Sequence, residues 1–291
     1  MDKANVSVFS ETACRLGEGP TYDPASDTLY WFDIVERKLL ERNLSGQEVV
    51  HSLPEMASAL AVVDANRHLV FTETGLHVRD LRSGKLTLHT AIEADNPETR
   101  SNDARVHPSG AFWLGTMSKK AKAGAGAIYW FFKGELRRLY SDVTVPNSIC
   151  FSPDGATAYY TGTQTGLLLR VDCDPANGLP IGEPRIFHDH RNETGDIDGS
   201  IVDADGVLWN ACWNGGCVNA YAPDGRHLRT ISVPAVKTTC PAFVGGNADR
   251  IIVTSAWEGM DQAARDRQPH AGKTFLLDIA VKGRFEPRVL L

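Results

Sequence analysis

The feature that most constrains this chain is an internal repeat. A polar turn followed by a short run of aromatic and β-branched residues recurs six times: DPASDTLYWFD from Asp23, VDANRHLVFTE from Val63, HPSGAFWLGTM from His107, SPDGATAYYTG from Ser152, DADGVLWNACW from Asp203 and VGGNADRIIVTSAW from Val244. Successive units start 40, 44, 45, 51 and 41 residues apart, the spacing of a four-stranded propeller blade. A second punctuation follows each unit, at Leu44 (LSGQE), Arg82 (RSGKL), Lys133 (KGELR), Asn177 (NGLP), Pro223 (PDGRH) and Lys282 (KGRF). Glycine supplies the positive φ that tight hairpins need, so each repeat carries two hairpin signals and therefore four strands. The expected fold is all-β: a six-bladed β-propeller with four-stranded blades around a central channel, filling residues 1–291 as one domain. A β-sandwich has no reason to keep a period of about 45 residues. Helix signals are confined to EGMDQAARDR from Glu258, read as a short helix or a lid loop.

Composition narrows the partners. The net charge is −6 and no Lys/Arg run stands out, which argues against a nucleic-acid surface. The first twenty residues hold no apolar signal core, and no stretch reaches the roughly 18 apolar residues of a membrane helix. A cytoplasmic protein with neither nucleic-acid nor membrane partners is expected. Six cysteines without a CxxC pair read as reduced, packed thiols.

Radial repetition leaves a central channel, and a ligand site there must draw polar residues from several repeats at one phase. Three fit: Glu18 in LGEGP, Asn147 in TVPNSICFSPDG and Asp198 in GDIDGSIVDADG, each a few positions before the recurring turn. Taken singly they are a solvated turn Glu, a turn-forming Asn and a member of an Asp-rich turn. Taken together they are two carboxylates and an amide oxygen converging on an axis. That donor set suits Ca²⁺, Mg²⁺ or Mn²⁺, with Zn²⁺ and Fe²⁺ in reach. TRSNDARVHPSG adds Arg100, Asn102 and Asp103, which by themselves read as a charged loop. Lys119, Lys120 and Lys122 lie in a Gly/Ala-rich loop, and His188 and His190 form an HxH pair in a charged one; both read as solvated. No GxSxG, HExxH or phosphate-loop motif is present. The Asp-rich turn after Asp196 lacks the Gly and Glu of an EF-hand loop.

The ordered set LGEGP, RSND with HPSGAFWLGTM, PNSICFSPDG and DGSIVDADGVLWNACWNGG resembles the SMP-30/gluconolactonase/regucalcin family, from about Glu18 to Trp257. The resemblance implies a six-bladed propeller that hydrolyses sugar lactones with one divalent ion on its axis. It implies Glu18, Asn147 and Asp198 as ligands, Asp198 as general base, and Arg100 and Asn102 as substrate contacts. Two positions depart from the family pattern. Lys120 stands where regucalcin-type members carry a substrate-contacting Glu, and Gly162 where family members often carry Asp. Lys120 as a substrate contact would suit a lactone bearing a free carboxylate; a neutral aldonolactone is the other candidate. The competing classes are a non-enzymatic calcium-binding or scaffold propeller and a propeller esterase or organophosphatase.

Overall fold

Each repeat folds into a four-stranded antiparallel sheet, and six such sheets form a ring in the computed structural model, which describes residues 5–291. The innermost strands are Gly17–Asp23, Ala57–Asp64, Thr99–Val106, Pro146–Phe151, Asp196–Val202 and Thr238–Val244, opening blades 1 to 6 in order. The repeated polar turn is the first hairpin of every blade. Its Asp accepts a backbone N–H two residues on, as in Asp23 to Ala25, Asp154 to Ala156 and Asp203 to Asp205, the Asx arrangement that makes Asp a turn former. The second punctuation is the outer hairpin in blades 1 to 5.

Blade 6 departs from the expected pattern. Its outer strand is Asn5–Ser10, which pairs antiparallel with Thr274–Asp278. The ring is thus closed by the first described strand pairing with the last, Thr274–Asp278, and the Lys282 signal is not a hairpin. A glycine after a charged residue marks a place where the chain bends, not what it pairs with, so the local signal could not reveal this closure. Ser10 and Thr12 hydroxyls donate to Glu48 of blade 1 at 2.5 Å each, fastening the closing strand to the first blade. Residues 279–291 run without regular structure across the ends of the inner strands. Val289 and Leu290 N–H groups donate to Val62 and Gly110 carbonyls, and Arg284 reaches the Val202 and Phe151 carbonyls. Residues 262–267 form the one α-helix among the described residues, and Thr163–Thr165 a single 3₁₀ turn.

The core lies between blades. Between blades 3 and 4, Trp113, Trp130, Ile149, Phe151, Tyr160 and Val171 pack together, and equivalent clusters fill the other gaps. Burying each such side chain contributes roughly 1.5–3 kcal/mol. The indoles of Trp113 and Trp130 donate to the Gly178 and Asn177 carbonyls of the blade 4 outer turn, at 2.9 and 2.8 Å. All six cysteines are free and buried.

The inner strands share an irregularity. Pairing with the second strand skips between Glu18 and Thr21, Ala57 and Ala59, Ser101 and Ala104, Asn147 and Cys150, Ile197 and Ser200, and Thr238 and Pro241. These are β-bulges, which re-aim side chains and leave backbone groups unpaired. In blade 1 the bulge residue is Gly19, at φ +54, where a Cβ would stand 1.9 Å from the Ser58 carbonyl oxygen. Gly19→Ala is therefore expected to cost about 2–4 kcal/mol, from the left-handed backbone plus a collision with main chain. Gly84, at φ +71 with nothing near it, is the control. Gly84→Ala should cost about 1 kcal/mol in the same urea titration, and equal costs would refute the crowding argument.

Candidate active site and metal centre

The bulges bring polar residues of four blades to the same end of the inner strands, opposite the end crossed by residues 279–291. Here Glu18, Asn147, Asp198, Arg100 and Asn102 line a single cavity of about 290 Å³. Asn147 and Asp198 are buried, at 5% exposure each. Three of the five come from Glu-, Asn- and Asp-bearing strands of blades 1, 4 and 5, and two from blade 3. A ring of equal-phase bulges gathers positions far apart in sequence.

A chain of hydrogen bonds sets the amide orientations. Arg100 Nη1 donates to Asn102 Oδ1 at 2.8 Å and to the Ser101 carbonyl at 2.7 Å. Asn102 Nδ2 donates to Asn147 Oδ1 at 3.0 Å and to the Pro146 carbonyl at 2.9 Å. Asn147 Nδ2 donates to Thr163 Oγ1 at 2.9 Å, which in turn donates to the Ile197 carbonyl at 3.0 Å. The amide hydrogens of Asn102 are thus committed to Pro146 and Asn147. Asn147 Oδ1 keeps one lone pair, and Glu18 keeps Oε1 while Oε2 accepts from the Gly19 N–H at 3.0 Å.

The electrostatics are those of carboxylates crowded out of water. Burial, reinforced by the Asp103 charge, pushes Glu18 up to about 8 against the Gly19 N–H. Burial and then the Glu18 charge raise Asp198 well above the usual carboxylate range. Burial lifts Asp103 to about 6, opposed chiefly by Arg105. Like charges in a buried site cannot all ionise without a cation. Two such carboxylates beside a free amide oxygen form a hard-oxygen set that fits one divalent ion.

Not every expected residue reaches the cavity. Lys120 is exposed and its neighbour Ala121 takes the lining position; Lys119 is paired with Glu73. Gly162 pairs with Pro146 at the blade edge and lies outside the lining. A side chain there would meet only Val143 and Thr165 at ordinary distances. Conversely, Asp196, Glu258, Gln164, Thr163 and Trp213 line the cavity without having been singled out from sequence. Thr163 and Gln164 follow the strand opposite Asn147, and Met117 lies near the end of the one opposite Arg100, so position at the end of the second strand was the available signal. For Glu258 in its loop no such signal exists.

Residues 16–257 match the family described as SMP-30/Gluconolactonase/LRE-like region. The chain is 52% identical to the "Putative sugar lactone lactonase" of Rhizobium meliloti (strain 1021), over 96% of this chain and 95% of that protein. It is 34% identical to L-arabinolactonase of Azospirillum brasilense, over 93% and 90%. A crystal structure of a calcium-binding protein, regucalcin, from Agrobacterium tumefaciens superposes with a TM-score of 0.98 at 49% identity, covering 99% of this chain and 98% of that one.

The raised carboxylates give the site a pH signature. In metal-free protein Glu18 holds its proton more tightly folded than unfolded. Its contribution to stability is therefore present below about 4.5 and lost as pH rises towards about 8. A divalent ion that favours the ionised carboxylates offsets this loss. The rise in Tm on adding Ca²⁺ or Zn²⁺ to chelator-treated protein should be larger at pH 8 than at pH 5, and smaller at both in Glu18→Gln. Equal increments at the two pH values would mean that the ion does not meet these carboxylates.

Proposed function

This chain belongs to the SMP-30/Gluconolactonase/LRE-like family, and on that premise we propose that it hydrolyses a neutral sugar lactone to the open-chain sugar acid with the help of one divalent ion. The observation that carries the reading is the meeting of Glu18, Asn147 and Asp198 with Arg100 in one cavity. Relatives named for lactone hydrolysis support the reaction class, and the regucalcin structure, titled a calcium-binding protein, supports an ion.

Glu18, Asn147 and Asp198 would hold that ion, which when bound polarises the lactone carbonyl and stabilises the charge that develops on its oxygen. A lactone is a strained or activated cyclic ester, so attack by water suffices and no protein nucleophile is required. Asp198 accepts the proton of the attacking water. The bond from carbonyl carbon to ring oxygen then breaks, and the ring oxygen takes the proton held by Asp198 and leaves as a hydroxyl. Arg100 is held by Asn102 and the Ser101 carbonyl through a single nitrogen, leaving its remaining N–H groups to orient the substrate. Asn102 acts mainly by presenting Asn147 Oδ1, since both its amide hydrogens are taken.

Charge selects the substrate class. Asp196 and Glu258 join Glu18 and Asp198 in the lining, against Arg100 alone. A divalent ion neutralises only two of these four carboxylates, so an added carboxylate on the substrate meets net repulsion. Sugar hydroxyls, by contrast, can donate to Asp196, Glu258 and Gln164. Lys120, exposed and outside the lining, does not alter this balance.

The test is a lactone panel, neutral pentono- and hexonolactones beside lactones bearing a free carboxylate, assayed after chelation and after metal add-back. Activity should vanish and return, with neutral lactones preferred. Asp198→Asn should lower kcat by about 10²-fold or more, and Lys120→Glu should leave the ratio of kcat/KM values for acidic and neutral lactones unchanged. Full activity in chelated protein would overturn the metal role, and preference for the acidic lactones would overturn the charge argument.

A further inference from the structure

Where blade 4 hands over to blade 5, three side chains meet outside the cavity. His188 lies on the outer strand Pro180–Asp189, and His190 and Glu193 on the loop that leads into the strand carrying Asp198. Their ligand atoms lie within 4.8 Å of one another. His188 Nε2 is 2.7 Å from Glu193 Oε1, and His190 Nδ1 is 3.0 Å from Oε2 of the same carboxylate. The opposite nitrogen of each ring faces a backbone carbonyl: His188 Nδ1 the Gly225 oxygen at 3.1 Å, His190 Nε2 the Gly195 oxygen at 3.2 Å. The His190 side chain is 2% exposed, and its Nδ1 is buried without a hydrogen bond.

Neutral imidazole has one N–H and one lone pair, yet all four ring nitrogens here face oxygens that only accept. With the hydrogens on the carbonyl-facing nitrogens, both remaining lone pairs lie within 3.0 Å of one carboxylate, an arrangement that a cation satisfies. The two rings, with centroids 6.2 Å apart, each reach that carboxylate, and one divalent ion would meet both lone pairs and the carboxylate at once. A backbone carbonyl accepting the far N–H is the arrangement that fixes tautomer and orientation in metal-bound histidines.

We propose that His188 Nε2, His190 Nδ1 and the Glu193 carboxylate form a second metal site, for a divalent transition ion of the zinc class. Two imidazoles and a carboxylate are a set that zinc accepts, and they are softer than the all-oxygen set of the cavity. None of the three residues lines that cavity. His188 also packs on Tyr221 of blade 5, ring centroids 4.3 Å apart, and Tyr221 is buried. The bound ion is a clasp: it ties the outer strand of blade 4 to the loop that delivers Asp196 and Asp198.

The experiment is equilibrium dialysis of metal-free, full-length protein against Zn²⁺, with bound zinc counted per chain in wild type, Glu193→Gln, His190→Gln and Glu18→Gln. Glu193 is partly exposed, so its substitution tests the site even where His190→Gln fails to fold. Glu193→Gln should lose one equivalent, or bind it about 100-fold more weakly, and should keep its lactonase activity. Glu18→Gln should retain that equivalent, so the two sites are counted separately and a failed cavity site does not mimic a failed clasp. In ¹⁵N spectra, zinc should shift His188 Nε2 and His190 Nδ1 while their partner nitrogens stay protonated. Zinc counts in Glu193→Gln equal to wild type, or both rings doubly protonated in excess zinc, would overturn the proposal.

Discussion

At the centre of the ring, backbone groups have lost their ladder partners. Each inner strand bulges at the same phase, and a bulge leaves main-chain N–H and C=O groups unpaired where little water reaches. Neighbouring blades satisfy them with side chains. Ser58 donates to the Asn102 carbonyl and Ser148 to the Asp198 carbonyl, at 2.5 Å each, and Thr239 donates to the Gly17 carbonyl at 2.6 Å. Asp103 accepts the Ile149 N–H at 2.7 Å. These four bonds run from one blade to the next, while Asn210 adds bonds to the Asp198 and Gly199 carbonyls from within blade 5. The small hydroxyl and carboxylate residues that interrupt otherwise apolar inner strands therefore do two things at once. They make the bulges tolerable, and they lock the angular position of each blade against the next. The cavity residues inherit their placement from this lock.

The two ends of the inner strands have different characters as a result. At the starting end the bulges turn Glu18, Asn147 and Asp198 into the cavity. At the finishing end Arg105, buried at 6% exposure, pairs with Glu286 at 3.1 Å and donates to the Ser200 carbonyl. Residues 284–290 lie across four blades there. Residues 284–290 form the floor of the channel. Carboxylates held away from water interact more strongly than in bulk solvent, so burial is the leading cause of the raised Glu18 and Asp198, and the Glu18 charge repels that of Asp198 further.

How much of this was legible follows from what each signal encodes. The blade count was readable because a turn needs Gly, Asp or Pro at fixed positions, and those residues recur in all six repeats. Glu18, Asn147 and Asp198 were readable because a polar residue at one phase of an apolar strand has to face something, and in a ring that something is the axis. The closure by Asn5–Ser10 was not readable, since its partner lies at the other end of the chain and strand patterning names no partner. Asn102 was legible as a polar residue near the axis but not as a support for Asn147, because amide orientation depends on its neighbours. Lys120 shows the limit most plainly. A loop has no period that dictates where a side chain points, and Ala121 rather than Lys120 lines the cavity.

The same reasoning explains why the His188 and His190 pair reads from sequence as part of an ordinary charged loop, and why Glu193 goes unremarked there. A histidine pair becomes a ligand pair only when the unused nitrogens are held, and the holders here, the Gly225 and Gly195 carbonyls, are main-chain groups that leave no trace in residue identity. Gly225 belongs to the blade 5 outer turn, one of the recurring glycine punctuation marks. Its φ is +88, and a Cβ there would meet the Phe187 carbonyl at 2.1 Å, so the turn can sit against the blade 4 outer strand only because it is glycine. The repeat that sets the fold thus also sets the distance between the two blades at which His188 finds its carbonyl. Blade spacing, turn chemistry and ligand orientation are one constraint seen at three scales.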